Sequence, residues 1–154
     1  MSKLLTIILL FITLSCKNNR DSESFENSNT NSPAKLLAHQ ADSLYKNKSF
    51  YSALVLYEKL IVIDSLNGEF NFRLGYCYVQ NNEHSKATKY YHKTINLDYR
   101  KFESYRNLGL IYGFVLNDKK NAIDCFNKCL SINPDSKEIK DFLLVLKKNS
   151  VNNL

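Results

Sequence analysis

The chain has 154 residues, room for one ordinary domain, and its 44% hydrophobic and 23% charged residues sit near ordinary globular values, enough to bury a core. Its formal charge of +6 is modest, and Lys, Glu and Asp interleave along the chain. That pattern lacks the concentrated basic face that nucleic acid or an anionic membrane surface selects, so nucleic-acid binding is excluded as a function class.

In chain order, residues 1–15 read as a signal peptide. Lys3 supplies a short basic start, and Leu4 to Leu14 is an apolar run interrupted by Thr6 and Thr13. The run is shorter than the roughly 20 apolar residues that a membrane span needs. It ends in Thr13-Leu14-Ser15-Cys16, a small residue before a single cysteine, which resembles the lipobox of bacterial lipoproteins. The resemblance implies that Cys16 is lipidated and that the protein is attached to a membrane through this N-terminal lipid, in the bacterial cell envelope. Lys17 follows Cys16, where aspartate is a familiar inner-membrane retention signal, so the outer membrane is favoured over the inner. An ordinary secretory signal and an uncleaved anchor are the alternatives. Residues 16–33 are rich in Asn, Ser, Asp and Glu, with Phe25 as the one large apolar side chain, and predict a tether between lipid and domain.

From Ala34 onward, apolar residues recur at helical spacing in segments of about 14 residues. The breaks fall near Asn47-Lys48, Asn67-Gly68, Asn81-Asn82, Tyr99-Arg100, Asn117-Asp118 and Pro134-Asp135. They predict six helices in three hairpins and then a seventh helix. A 34-residue echo runs through them: Leu74-Gly75 with Tyr78 returns as Leu108-Gly109 with Tyr112, and Ala53 with Tyr57 returns as Ala87 with Tyr91. Such a period marks a repeat architecture in which each unit buries its apolar face against the next. Small residues pair across each hairpin, Ala41 with Ala53, Gly75 with Ala87 and Gly109 with Ala122, where two helices cross closely. Glycine inside a helix costs about 1 kcal/mol relative to alanine, so Gly75 and Gly109 point to a packing demand.

These residues resemble the tetratricopeptide repeat family: a small residue at the eighth position, alanine at the twentieth, an aromatic at the twenty-fourth (Tyr57, Tyr91, Phe126), and Pro134 near the thirty-second. The resemblance implies an all-α, right-handed solenoid with repeats at 34–67, 68–101 and 102–136 and a capping helix and tail at 137–154. The first unit departs at Gln40, where leucine is usual, and the third carries an extra residue assigned to the Leu116 to Lys120 turn.

Chemistry is sparse. There is no Gly-rich phosphate loop, no His-Glu-x-x-His and no Cys-x-x-Cys, which predicts no enzyme, no cofactor, no metal and no small-molecule substrate. Cys125 and Cys129 are four apart on one helix, too far for a disulfide and better explained as small packing residues, and Cys77 is expected to pack or, in an oxidising compartment, to pair. His39, His84 and His92 are scattered over different helices with no carboxylate at a consistent offset.

What remains is a binding surface. The resemblance implies a concave groove lined by the first helix of each hairpin, here Lys35, Ala38, Asp42, Tyr45 and Lys46, then Glu69, Phe72, Tyr76, Val79 and Gln80, then Glu103, Arg106, Leu110, Gly113 and Phe114. Aromatic residues and arginine most often anchor interfaces, so Tyr45, Phe72, Tyr76, Arg106 and Phe114 are the expected anchors, with Asp42, Lys46 and Gln80 beside them. The rival expectation is that several of these pack between adjacent repeats. The carboxylate clamp of some family members is missing, since Ala38, Phe72, Asp42 and Tyr76 occupy its positions. The chain is therefore expected to be an envelope-anchored adaptor that holds a protein or peptide partner. The alternatives are a permanent subunit of an envelope complex and a regulator of a cell-wall enzyme. Terminal repeats need a polar-backed cap, so deletion of residues 136–154 is expected to cause aggregation or early melting; an unchanged melting curve with monodisperse behaviour would refute this.

Overall fold

The computed structural model describes residues 32–151. The signal peptide, Cys16, nearly all of the tether and the last three residues lie outside the described residues. Packing divides the chain after Lys35. Of the unit Met1–Lys35, the described residues are Ser32 to Lys35, where the Lys35 N–H donates to the Ser32 carbonyl at 2.9 Å. The unit Leu36–Leu154 holds the helical array.

Among the described residues there are seven α-helices and no strand: α1 Pro33–Lys46, α2 Phe50–Ile63, α3 Gly68–Gln80, α4 His84–Asn96, α5 Lys101–Leu110, α6 Lys119–Ile132 and α7 Lys137–Val151. A π-helical turn, Ile111–Val115, extends α5. This is the all-helical solenoid that the periodicity predicts. None of these helices is long and apolar enough to cross a membrane.

Polar residues set the helix ends. Asn67 caps α3 by accepting the Phe70 N–H at 3.1 Å, and Asp118 caps α6 by accepting the Asn121 N–H at 3.1 Å. Within each hairpin the turn is closed by one left-handed residue: Lys48, Asn82 and Asn117, with φ of 60°, 61° and 53°. The link from the first to the second repeat is held by the buried Asn71, whose amide donates to the carbonyls of Asn67 at 2.7 Å and Ser65 at 3.1 Å.

The core is a row of three aromatic rings, Tyr57, Tyr91 and Phe126, all fully buried. Each comes from the second helix of a hairpin. In the second and third hairpins the ring presses on a glycine of the first helix. A Cβ at Gly75 would lie 3.1 Å from Tyr91 Cε1, and one at Gly109 would lie 2.6 Å from Phe126 Cε1. The matched glycines therefore answer a packing demand, as their spacing predicts. On α7, Ile139 and Leu146 are buried, Phe142 and Leu143 are half-buried, and Lys137, Lys140, Asp141, Lys147 and Lys148 are exposed, so this helix closes the third repeat as a cap.

The extra residue of the third repeat is not in the Leu116 to Lys120 turn. Gly75 and Gly109 are 34 apart, whereas the left-handed residues Asn82 and Asn117 are 35 apart, so the insertion precedes the turn. It is absorbed by the π-helical turn, in which the Leu116 N–H reaches back five residues to the Ile111 carbonyl at 2.9 Å. The added residue rotates the side chains beyond it. Gly113, expected in the groove, is instead buried, with the space for its Cβ bounded by Ala122 of α6 and Leu146 of α7, each 3.1 Å away.

The cysteines behave as packing groups. Cys77, Cys125 and Cys129 are free and buried, and burial pushes their thiols up to about 12, 11 and 12, so they stay protonated and inert. Among the described residues no group of His, Cys, Asp and Glu is placed to hold a metal ion.

The glycine contacts differ enough to rank two substitutions. Gly109→Ala is expected to lower unfolding stability by about 1–3 kcal/mol, because the buried Phe126 ring has no room to retreat. At Gly75 the looser contact is offset by alanine's helix preference of about 1 kcal/mol, leaving Gly75→Ala near wild type. Urea unfolding followed by circular dichroism checks the order; equal stability of both variants would contradict it.

Candidate functional site

Two different environments form along the first helices of the hairpins, one polar and closed, the other apolar and open. The polar one joins all three repeats. Tyr57 Oη donates to Asp42 Oδ1 at 2.5 Å, and Asp42 lies 3.6 Å from Arg73 Nε. Arg73 Nε donates to Glu69, and the Tyr99 hydroxyl donates to the other Glu69 oxygen. Arg100 Nε lies 3.5 Å from Glu69, and its Nη1 lies 3.4 Å from Glu103. The guanidinium groups also lie on rings, Arg73 over Tyr45 at 4.8 Å and Arg100 over Phe72 at 5.3 Å.

Glu69 is the hub of this network. Burial pushes its carboxyl pKa up, but hydrogen bonds from Tyr99 and Arg73 and the charges of Arg73 and Arg100 outweigh that and hold it below the usual range. Burial likewise raises the Tyr57 hydroxyl, reinforced by its bond to Asp42. Tyr45 is pushed up to about 12 by burial and by the neighbouring Tyr76.

The apolar environment is an open cavity of about 580 Å³ at the second and third repeats and the cap. Tyr76 and Val79 of α3, Leu110 at the end of α5, Phe114 of the π-helical turn and Phe142 of α7 supply its apolar walls. Gln80, His84, Tyr91, Arg106 and Asn107 supply its polar atoms. Arg106 Nη1 is 3.5 Å from Glu138 Oε1 on α7, while Arg106 Nε and His84 Nδ1 are buried without a hydrogen bond. Phe114 packs edge-on against Phe142 with ring centroids 6.0 Å apart, yet remains about half exposed at the rim.

The expected groove residues thus divide. Tyr76, Gln80, Arg106 and Phe114 line the cavity, together with Val79 and Leu110. Tyr45 and Phe72 do not. Tyr45 is packed among Phe50, Tyr57 and Tyr76 and so bridges the first two repeats, and Phe72 packs on Tyr91 beneath Arg100 within the second repeat. Asp42 is engaged by Tyr57 and Arg73, and Glu69 and Glu103 belong to the same network. Lys46 is exposed on α1 beside a smaller hollow of about 210 Å³ that Asp42 also lines. Cys16 lies outside the described residues.

Six contributors were not expected from the sequence, Asn107 of α5 and Ile111 of the π-helical turn among them. Tyr91 sits at the core register, and its hydroxyl reaches the cavity wall beside Asn107. Val115 arrives through the π-helical turn, and Phe142 comes from the cap. His84 and His92 share α4 rather than lying on different helices; His84 lines the cavity, and His92 Nε2 is 3.2 Å from the Tyr112 hydroxyl.

Comparison with known proteins agrees with this architecture. The tetratricopeptide repeat family model matches residues 68–100 and 102–136. No curated protein matches the chain in sequence. Among solved structures, the first tetratricopeptide domain of Spaghetti (RPAP3) bound to an HSP90 peptide is 18% identical with a TM-score of 0.68, covering 77% of this chain and 93% of that one. The Sgt2 tetratricopeptide domain from Aspergillus fumigatus is 20% identical with a TM-score of 0.65, covering 79% and 82%. YrrB, described as a tetratricopeptide protein with an unusual peptide-binding site, is 19% identical with a TM-score of 0.66, covering 76% of this chain and 60% of its own. The fold is that of a tetratricopeptide repeat solenoid, and residues 68–100 and 102–136 are similar to the repeats of that family.

Because Glu69 is more acidic in the folded chain than its unfolded value of about 4.3, its contribution is fully present above that value and lost as pH falls through the lower folded value. Wild type is expected to be more stable than Glu69→Gln at neutral pH, with the difference shrinking on acidification below about pH 4. Urea midpoints of both proteins across this range check it; a gap that stays constant to about pH 3 would contradict the assignment.

Proposed function

We propose that this protein is an envelope-anchored adaptor that holds a peptide or protein partner in the open cavity formed by the second and third repeats and the cap. The observation that carries this reading is the cavity itself. Its walls are aromatic and aliphatic, Arg106 stands among them, and Phe114 at the rim remains about half exposed. Its size falls within the range of about 300–1,000 Å³ common for ligand sites. Two structural neighbours, the Spaghetti domain with its HSP90 peptide and YrrB with its peptide-binding site, lend support by analogy of fold. On this reading the protein acts by holding, with no reaction, cofactor or metal of its own. Cys16 carries the lipid, residues 16–33 are the tether, and the outer membrane is favoured over the inner.

One observation favours a second reading, a permanent subunit of an envelope complex. Val62, Ile63 and Leu66, at the end of α2 and in the turn after it, are 85%, 61% and 71% exposed. Neighbouring exposed apolar residues of this kind fit a lasting contact with another chain.

Cross-linking and pull-down from intact cells separates the two. Tyr76→Ala with Phe114→Ala is expected to lose the partner, and Val62→Ser with Leu66→Ser to keep it; the reverse pattern would favour the permanent subunit. In the same cells Cys16→Ser is expected to abolish incorporation of an alkyne-labelled fatty acid and release the protein from membranes. Unchanged labelling and fractionation would remove the lipoprotein reading.

A further inference from the structure

Resting on the proposal of a peptide-holding groove, we infer that the cavity selects a peptide segment in which a large apolar side chain stands next to a carboxylate. The apolar side chain fills the space between Leu110, Phe114 and Phe142, and the carboxylate is bound by Arg106 and the Tyr91 hydroxyl.

Polar atoms are left without partners on a wall that is largely apolar. Arg106 Nε and His84 Nδ1 are buried and make no hydrogen bond, and the buried Tyr91 hydroxyl, beside the Asn107 amide, has its own proton left to donate. Buried polar groups are almost always paired, so unmet donors on one cavity wall mark a place where an occupant completes the bonding. Two of them fix the sign of that occupant. A guanidinium N–H only donates. The Tyr91 ring is fully buried, and burial opposes ionisation of its hydroxyl more than the neighbouring Asn107 favours it, so the hydroxyl keeps its proton to donate. The matching group is an acceptor. Among the described residues that line the cavity, Arg106 is also the one formally charged side chain. An anionic acceptor therefore fits better than a neutral carbonyl. The chain's overall charge of +6 acts in the same direction at long range.

The shape of the cavity sets the rest. Phe114 and Val115 at its rim are 47% and 49% exposed, so the site is a trough open to solvent. A small molecule is usually buried over most of its surface in its site, whereas a peptide leaves its backbone outside and inserts side chains. The trough depends on the π-helical turn, which sends Gly113 into the seam with α6 and α7 and leaves Phe114 and Val115 on the cavity side. Glu138 already stands 3.5 Å from Arg106 Nη1. It occupies one edge of the guanidinium and competes with an incoming carboxylate, so the cap tunes the affinity.

The test uses the full-length chain in detergent and fluorescein-labelled nonapeptides of Gly and Ser with Leu-Glu, Leu-Gln or Ser-Glu at the centre, read by fluorescence anisotropy. Leu-Glu is expected to bind at least about tenfold more tightly than either of the others. Arg106→Gln should erase the preference for Glu over Gln while keeping that for Leu over Ser. Glu138→Gln, which removes the competing carboxylate, should tighten Leu-Glu binding, an effect that loss of structure would not produce. Equal binding of Leu-Glu and Leu-Gln would overturn the acidic selection and leave peptide holding by the groove in place. Arg106-dependent binding of decanoate with no binding of any peptide would overturn it in favour of a small carboxylate. If no peptide binds and the cellular partner is also retained by the Tyr76 and Phe114 variant, both the acidic selection and the groove reading fall.

Discussion

Everything in this structure hangs on how closely the two helices of a hairpin can approach. A fully buried aromatic ring from the second helix, Tyr91 or Phe126, needs a first helix with no side chain at the point of contact, and Gly75 and Gly109 supply it. Dispersion and burial of a large ring favour the close crossing, and the contact is lost steeply with small displacements. Once that crossing is set, the remaining first-helix side chains have fixed directions. The same geometry that buries the Tyr91 ring leaves its hydroxyl at the wall of the cavity.

The side formed by the first helices is divided by chemistry as well as by position. Toward the first repeat, Asp42, Glu69 and Glu103 meet Arg73 and Arg100, and the charges satisfy one another. A surface whose charges are already paired and whose guanidinium groups rest on Tyr45 and Phe72 has little left to offer a partner. Toward the cap the balance reverses, since Arg106 keeps one nitrogen unpaired and its neighbours are apolar. The first half thus serves to lock repeats together, and the second half keeps a cationic side chain among apolar neighbours.

The third repeat departs from its fellows by one residue, and the consequence lies in the site. An insertion absorbed as a π-helical turn changes which side chains face outward beyond it, unlike an insertion in a turn, which would lengthen a loop and leave the helix faces unchanged. Here it places Gly113 in the seam with the cap and Phe114 and Val115 at the cavity.

The sequence by itself determined the architecture. The 34-residue echo, the paired small residues and the aromatic at each twenty-fourth position depend on local periodicity, and local periodicity is written along the chain. It also determined that first-helix residues such as Tyr76, Gln80, Arg106 and Phe114 would share a side. Tertiary structure alone decided which of these are free. Whether Tyr45, Phe72 and Asp42 face a partner or pack within the helical array depends on contacts with Tyr57, Arg73 and Arg100, on helices or turns further along the chain. The same holds for the hydroxyl of Tyr91, for Phe142 of the cap and for the π-helical turn. Each is fixed by packing between elements distant in sequence, for which a repeat pattern carries no signal.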